Sequence, residues 1–424
     1  MNAYSDAVRN ALKNDPDVIT IGEVASDAYA LKAASTGKTR LYGYIGETQT
    51  LEVPLATGHL KLSVENGPEI DDYCDFAARA NPKRGFLIVS KVLGRHLPAR
   101  PDAMRSTMAD LAQSLPADLP QPIVFLGMAE TATALGQGVF AAYQALHPSS
   151  SSIYLQTARQ TVHDAMTIAR FEEGHSHATS HLVQVCDANL ADIVKSARSL
   201  VIIDDESSTG NTFVSAAEGI LPAMPMLERI ETCCITDWSG GAYLARMPRS
   251  SQRHSILSGS MEWTAGSTMA PPKLAAGSNG SGTAPAGGMR SRSGLRRPEA
   301  SSRPPVNCHP GERILVLGDG EHSYEALLIA EEIETQGGLA AVQSITRTPA
   351  ILGDAMATVS QFTDAYGSGA PCFLYNILAH EPGRILVASE ILDRQIDEGR
   401  KAVLELGADI PVEMILCSYQ DETR

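Results

Sequence analysis

The feature that most limits the fold is a series of short, predominantly apolar runs that alternate with stretches of helical spacing. "GFLIVSK" (85–91) precedes a helix near Pro101–Ser114, with proline at its first position. "PIVFLGM" (122–128) leads into a helix through "ETATALGQGVFAAYQAL", and "SIYLQTAR" (152–159) follows. "SLVIIDDE" (199–206) comes next, then a helix starting near Thr212, and "ETCCITDW" (231–238) closes the series. Half-buried strands alternate apolar and polar residues, whereas these runs are apolar on both faces. Such strands must be covered on both sides, which predicts a parallel sheet between helical layers. In sheets of this kind ligands collect beyond the carboxyl ends of the strands, where Asp204 and Asp205 fall.

A change of composition divides the chain. From Thr264 to Pro310, Gly, Ser, Ala and Pro dominate, and the later half is basic. A segment like this buries too little apolar surface to offset its ordering entropy, so it reads as a disordered, flexible linker. The strand and helix pattern then restarts. "RILVLGDGE" (313–321) is a strand entering a glycine turn, and "SYEALLIAEEIETQGG" (323–338) is a helix with a Gly-Gly stop. "AAVQSIT", "PCFLYNIL", "RILVASE" and "EMILCSY" read as further strands, with a helix near Glu390–Leu406. Four segments result: 1–80, an N-terminal β-containing extension or hood with strands at "RLYGYI" and "HLKLSVE"; 81–263, the main α/β domain; 264–310, the linker; and 311–424, a smaller α/β domain.

Charge and hydropathy exclude several functions. The 424 residues carry a formal net charge of −15, which opposes general nucleic-acid binding, since phosphate contacts need an excess of Lys and Arg. No run approaches the roughly 18 apolar residues of a membrane span, and the first residues, "MNAYSDAVRNALKNDPDV", lack the apolar core of a signal peptide. Seven scattered cysteines, mostly inside apolar segments, suit buried thiols in a cytoplasmic protein.

The stretch "VIIDDESSTGNTF" (201–213) concentrates the chemistry. Three adjacent carboxylates at a strand end repel one another unless a cation or a hydroxyl-rich ligand sits beside them. Asp204 and Asp205 can accept hydrogen bonds from vicinal ribose hydroxyls and help hold a hydrated Mg²⁺. Ser207, Ser208, Thr209, Gly210, Asn211 and Thr212 then run into a helix whose amides and positive end suit a phosphate dianion. Four apolar residues, two acids and T-G-x-T resemble the 5-phosphoribosyl-1-pyrophosphate (PRPP) signature of type I phosphoribosyltransferases. A capped helix after a strand and a receiver-type acidic cluster are the alternatives. Hypoxanthine and guanine enzymes of that superfamily place an Asp before T-G. Ser208 stands there, which disfavours purine salvage of that type, because a hydroxyl is a poor acid or base near neutrality.

The resemblance implies that "GMAETATALG" (127–136) faces the leaving pyrophosphate through Gly127, Met128, Ala129, Glu130 and Thr131. Glu130 would repel that anion, and either contacts Mg²⁺ or the sugar or caps the helix. Arg159, at the end of its strand, and Lys91 and Arg95-His96 are candidate counter-cations, with exposed surface charge as the alternative. "RFEEGHSHATSHL" (170–182) holds His175, His177 and His181. It reads as a mobile flap with His and Glu serving proton transfer or acceptor binding, as a metal chelate, or as a solvated loop.

Together "NPKRGFLIVSKVLGRHLP", "LGMAETATALGQGVF", "FEEGHSHATSH" and "IIDDESSTGNTF" resemble one bacterial family. It is the phosphoribosyltransferase-like protein with a C-terminal TRSP domain, associated with tellurium-resistance biosynthetic operons. "VLGDGEHSYEALLIAEEIE", "QSITRTPAI" and "CFLYNI" resemble the TRSP domain, with Thr348 in place of the serine of its name. Arg347, flanked by two hydroxyls, suits an anion, and "LGDGEHS" is either a structural turn or a nucleotide-binding one. The resemblance implies a Mg²⁺-dependent enzyme that transfers phosphoribose from PRPP to an unidentified small acceptor and releases pyrophosphate. Catalytic roles would fall to Asp204, Asp205, Arg159, His175 and His177, with metal held by Asp204 and Asp205. A PRPP- or nucleotide-sensing module of the same fold, without turnover, is the competing expectation. A scaffold whose second domain recruits partner enzymes of the same operon is the third. A homodimer is an admissible assembly.

Overall fold

The computed structural model describes residues 18–20, 40–45, 48–79, 81, 84–163, 165–172, 180–266, 283–284, 290–298, 302–363, 369–390 and 394–418. The chain folds as mixed α/β, with a large central sheet and a second, smaller domain that has its own sheets. The centre of the large sheet is parallel. Strand Ser199–Ile203 lies between Ile123–Gly127 and Arg229–Asp237, and Ser152–Ala158 lies beyond Ile123–Gly127. Every residue of Ile123–Gly127, Ser152–Ala158 and Ser199–Ile203 is buried, the polar Gln156 and Thr157 included, as strands covered on both faces require. Helices Pro101–Ser114, Thr133–Leu146, Ala188–Ser196 and Asn211–Ile220 accompany these strands.

Two features depart from the simple repeating series. Phe86–Ser90 pairs antiparallel with Cys74–Ala78 in a separate hairpin and does not enter the parallel sheet. The sheet also does not end at Arg229–Asp237. Ser250–Ala265 pairs parallel to it and then antiparallel to Gly58–Asn66, joining the N-terminal strands to the same sheet, which has twelve strands among the described residues. Ser250–Ala265 carries few apolar residues and is only partly buried, so no apolar run marks it.

In the second domain Leu339–Ser344, Arg313–Gly318, Arg384–Ser389 and Val412–Leu416 form a four-stranded parallel sheet, in that order. Pro371–Tyr375 pairs instead with Val359–Thr363 in an antiparallel ribbon. No helix among the described residues is long and apolar enough to cross a membrane.

The described parts of the segment expected to be a disordered linker are packed. Leu295 exchanges two 2.8 Å backbone hydrogen bonds with Tyr154, and the amide of Cys186 donates to Ser293 O at 3.0 Å. Arg292 is 1% exposed and pairs with Glu321 and Glu390. These partners lie in three other parts of the fold, so the expectation from composition fails here because long-range charge and backbone pairing replace a local apolar face. Residues 267–282 and 285–289 lie outside the described residues.

The two domains share one core. A single cluster of buried apolar side chains runs from Val92 and Phe125 through Leu295 and Val306 to Ile314, Leu327 and Leu386. Ala99 and Val342 exchange backbone hydrogen bonds of 2.9 and 2.8 Å across the junction. Arg105 of one domain makes a salt bridge with Glu331 of the other.

Candidate active site

The register sets two loops side by side. Ile203 stands opposite Gly127 on one flank and Cys233 on the other, so the chain leaves adjacent strands at Met128 and Asp204. The amide of Met128 donates to Ile203 O at 2.9 Å, and that of Asp204 donates to Cys233 O at 3.0 Å. The loop after Ile203 is then held by the amides of Ile235 and Thr236, which donate to Asp205 O at 3.1 and 3.3 Å, and by the amide of Trp238, which donates to Ser207 O at 2.8 Å.

Gly210 ends this loop at φ 71° and caps helix Asn211–Ile220. A Cβ there would lie 2.1 Å from the ring of Tyr243, so both dihedral and space require glycine. The residues at the helix start line a cleft with a cavity volume of about 210 Å³. Asp204 through Thr212 all line it, as do Ala129, Glu130, Thr131 and Arg159. Ser207 is 3% exposed, and its Oγ is buried with no hydrogen-bond partner among the described residues.

Electrostatics at the acidic end favour a bound cation or hydroxyl donors. Burial first, then the neighbouring Glu206, pushes the Asp205 carboxyl up to about 6. Glu206 itself pairs with Arg84. At the other end the amide of Ala129 donates to Thr157 Oγ1 at 2.8 Å, and the peptide to Glu130 is cis. Arg159 Nη2 donates to Ala129 O at 3.2 Å, which brings this cation to the second loop.

The remaining expected residues separate by position. Gly127 and Met128 lie beneath the cleft and do not line it. A Cβ on Gly127 would come within 2.3 Å of Tyr154 Oη, so close strand–helix packing explains the glycine, and Met128 is buried in the core. Lys91 also points elsewhere, with Nζ donating to Asp71 O at 2.6 Å, whereas Arg95 and His96 of the same stretch do line the cleft. Burial and the nearby Arg95 and Arg79 push His96 down to about 3, so it is a neutral ring. His175 and His177 lie outside the described residues. His181 is buried, stacked on Phe171, and its Nδ1 lies 2.9 Å from Thr157 Oγ1, an arrangement that fixes the wall behind Ala129.

Several lining residues carried no strong sequence signal. Arg79, Arg84, Leu87, Ile88 and Ser90 come from the antiparallel hairpin, and Leu93 from the turn after it. Basic residues ahead of an apolar strand were the available hint for Arg84; apolar Leu87 and Ile88 look like any core strand. Arg347 and Thr348 enter from the second domain. Five arginines and four carboxylates (Glu130, Asp204, Asp205 and Glu206) therefore line one cleft, a mixed set suited to a ligand with both anionic and hydroxyl groups.

Residues 73–265 match the family model described as phosphoribosyl transferase, and residues 295–405 match the one described as TRSP domain C terminus to PRTase_2. The second match begins inside the packed part of the Gly/Ser/Arg segment. Among solved structures, the adenine phosphoribosyltransferase of Rhodothermus marinus DSM 4252 is 16% identical, with a TM-score of 0.29, covering 43% of this chain and 92% of its own. That of Trypanosoma brucei, in complex with AMP, pyrophosphate and ribose-5-phosphate, is 14% identical, with a TM-score of 0.31, covering 47% and 82%. That of Giardia lamblia, complexed with 9-deazaadenine, is 16% identical with a TM-score of 0.29, covering 43% and 92%. No curated protein matches the chain.

Proposed function

We propose that this chain, a phosphoribosyl transferase domain followed by a TRSP domain, transfers a 5-phosphoribosyl group from PRPP to a small acceptor and releases pyrophosphate. The observation that carries this reading is that loops 204–212 and 129–131 leave adjacent strands and open into one cleft. A sugar with phosphate at one end and pyrophosphate at the other spans such a pair of loops. The amides from Gly210 onward and the unpartnered Ser207 Oγ would bind the 5-phosphate. Asp204 and Asp205 would accept the ribose hydroxyls, with Arg159 near the departing pyrophosphate.

The donor set fits Mg²⁺: adjacent carboxylates provide hard oxygen ligands, and the cost of ionising partly buried Asp205 is one a cation offsets. Asp204 and Asp205 would hold the ion, which supplies charge neutralisation for the diphosphate when bound. As the C1–O bond opens, the two carboxylates also face the positive charge that grows on the ribose ring, so catalysis is positioning and electrostatic stabilisation. The acceptor would lie against Leu87, Ile88 and Leu93, whose apolar wall excludes water from C1.

Titration calorimetry with PRPP and Mg²⁺, run beside a pyrophosphate-release assay over a panel of nucleobases and related heterocycles, tests this. Binding with release supports transfer. A second reading, a PRPP-sensing module, is favoured by Glu130 occupying the arginines of the pyrophosphate end, and binding without release would select it. No binding at all removes both.

A further inference from the structure

We infer that the second domain completes the transferase cleft, and that Arg347 and Arg95, one from each domain, form a clamp for the pyrophosphate group. This rests on the phosphoribosyl-transfer reading of the cleft. Glu130 stands between the two guanidiniums: Arg95 Nη2 lies 3.0 Å from Oε2, and Arg347 Nε lies 3.1 Å from Oε1. One carboxylate thus faces two cations, and Arg159, bonded to the neighbouring carbonyl of Ala129, brings a third. Those four groups alone carry two positive charges in excess, with Glu321 behind them, its Oε1 accepting the amide of Arg159 and its Oε2 paired with Arg292. An anion with several oxygens suits that excess, and guanidinium forks match it in geometry.

Arg347 is placed by a rigid frame. Thr346 and Phe373 exchange backbone hydrogen bonds of 3.0 and 2.7 Å, and Thr346 Oγ1 accepts the amide of Thr348 at 3.1 Å. Tyr375 Oη accepts the amide of Ala350 at 2.7 Å, closing the turn. Arg95, 3% exposed, is held from the same side, its Nη1 donating to Gly320 O of the second domain at 2.8 Å. Both members of the clamp therefore depend on the second domain. Glu130, awkward as a pyrophosphate ligand, becomes intelligible as the resident counter-charge that keeps buried Arg95 and partly exposed Arg347 apart and oriented until the ligand shares them.

The test is calorimetry on the full chain with Mg²⁺, titrating pyrophosphate and ribose 5-phosphate separately into the parent, Arg347→Gln and Arg105→Gln. Arg105 also bridges the domains but does not line the cleft. Arg347→Gln is expected to weaken pyrophosphate by about tenfold or more while changing ribose 5-phosphate less than about twofold. Arg105→Gln should leave both unchanged, and retained ribose 5-phosphate binding shows that Arg347→Gln is folded. If Arg347→Gln binds pyrophosphate like the parent, the clamp is wrong and the transferase reading stands. If it loses both ligands, Arg347 acts on the fold and the clamp is again wrong. If the parent binds neither ligand, both ideas fall.

Discussion

Replacing Asp205 by asparagine is expected to stabilise the ligand-free protein while abolishing ribose and metal binding. Burial and the adjacent Glu206 raise the Asp205 carboxyl from an ordinary 3.8 to about 6. At about 1.36 kcal/mol per pH unit, holding it ionised in the fold costs up to about 3 kcal/mol. Below about pH 3 the carboxyl is protonated whether the chain is folded or not, and it costs nothing. As the pH rises towards 6 the unfolded chain ionises first, so native stability falls, and above about 7 the full cost is present. Asparagine has nearly the same shape and no charge. Urea unfolding of parent and Asp205→Asn should therefore give the variant an advantage of up to about 3 kcal/mol at pH 8 and about half that at pH 5. In the same samples calorimetry with ribose 5-phosphate and Mg²⁺ should show binding to the parent that strengthens between pH 5 and 7, and none to the variant. An advantage that is absent at pH 8, or constant across the range, would refute the claim that this carboxylate is held against its own ionisation for a ligand's use.

Three further outcomes are expected. Gly210→Ala combines a left-handed backbone with a 2.1 Å clash against Tyr243, and should cost about 2 to 4 kcal/mol in urea unfolding and remove ribose 5-phosphate binding; near-parent stability would mean the turn is loose. Arg292→Met removes the cation paired with Glu321 and Glu390, whose side chains are both buried beside it, and should cost about 3 to 5 kcal/mol; a loss under 1 kcal/mol would show that the packed linker segment is dispensable. Because one apolar core spans both domains, far-ultraviolet circular dichroism and tryptophan fluorescence should report a single coincident transition; the two tryptophans, Trp238 and Trp263, both lie before the linker, so separate transitions would indicate independently folding domains.

Much of this protein is written locally. Apolar runs such as Ile123–Gly127 and Ser199–Ile203 name their own strands because only doubly covered strands tolerate such composition. The acids and glycine of 204–210 likewise mark a turn before a helix, since carboxylates, hydroxyls and a left-handed glycine are each costly elsewhere. What the sequence leaves open is partnership. Phe86–Ser90 reads as one more core strand, yet its neighbour is Cys74–Ala78 in a hairpin, because an apolar run specifies burial and not the strand beside it. Lys91 and Arg95 lie four residues apart and are equally cationic. Only the tertiary structure turns one to Asp71 O and buries the other against Glu130. Arg292 and Arg347 make the same point over longer distances, since their counter-charges lie 29 and more than 200 positions away along the chain. Local composition determines which segments are strands, turns and anion-binding loops, because those depend on a few adjacent dihedrals and side chains. Which charges meet in the cleft depends on loop closure across the whole chain, and only the folded structure decides that.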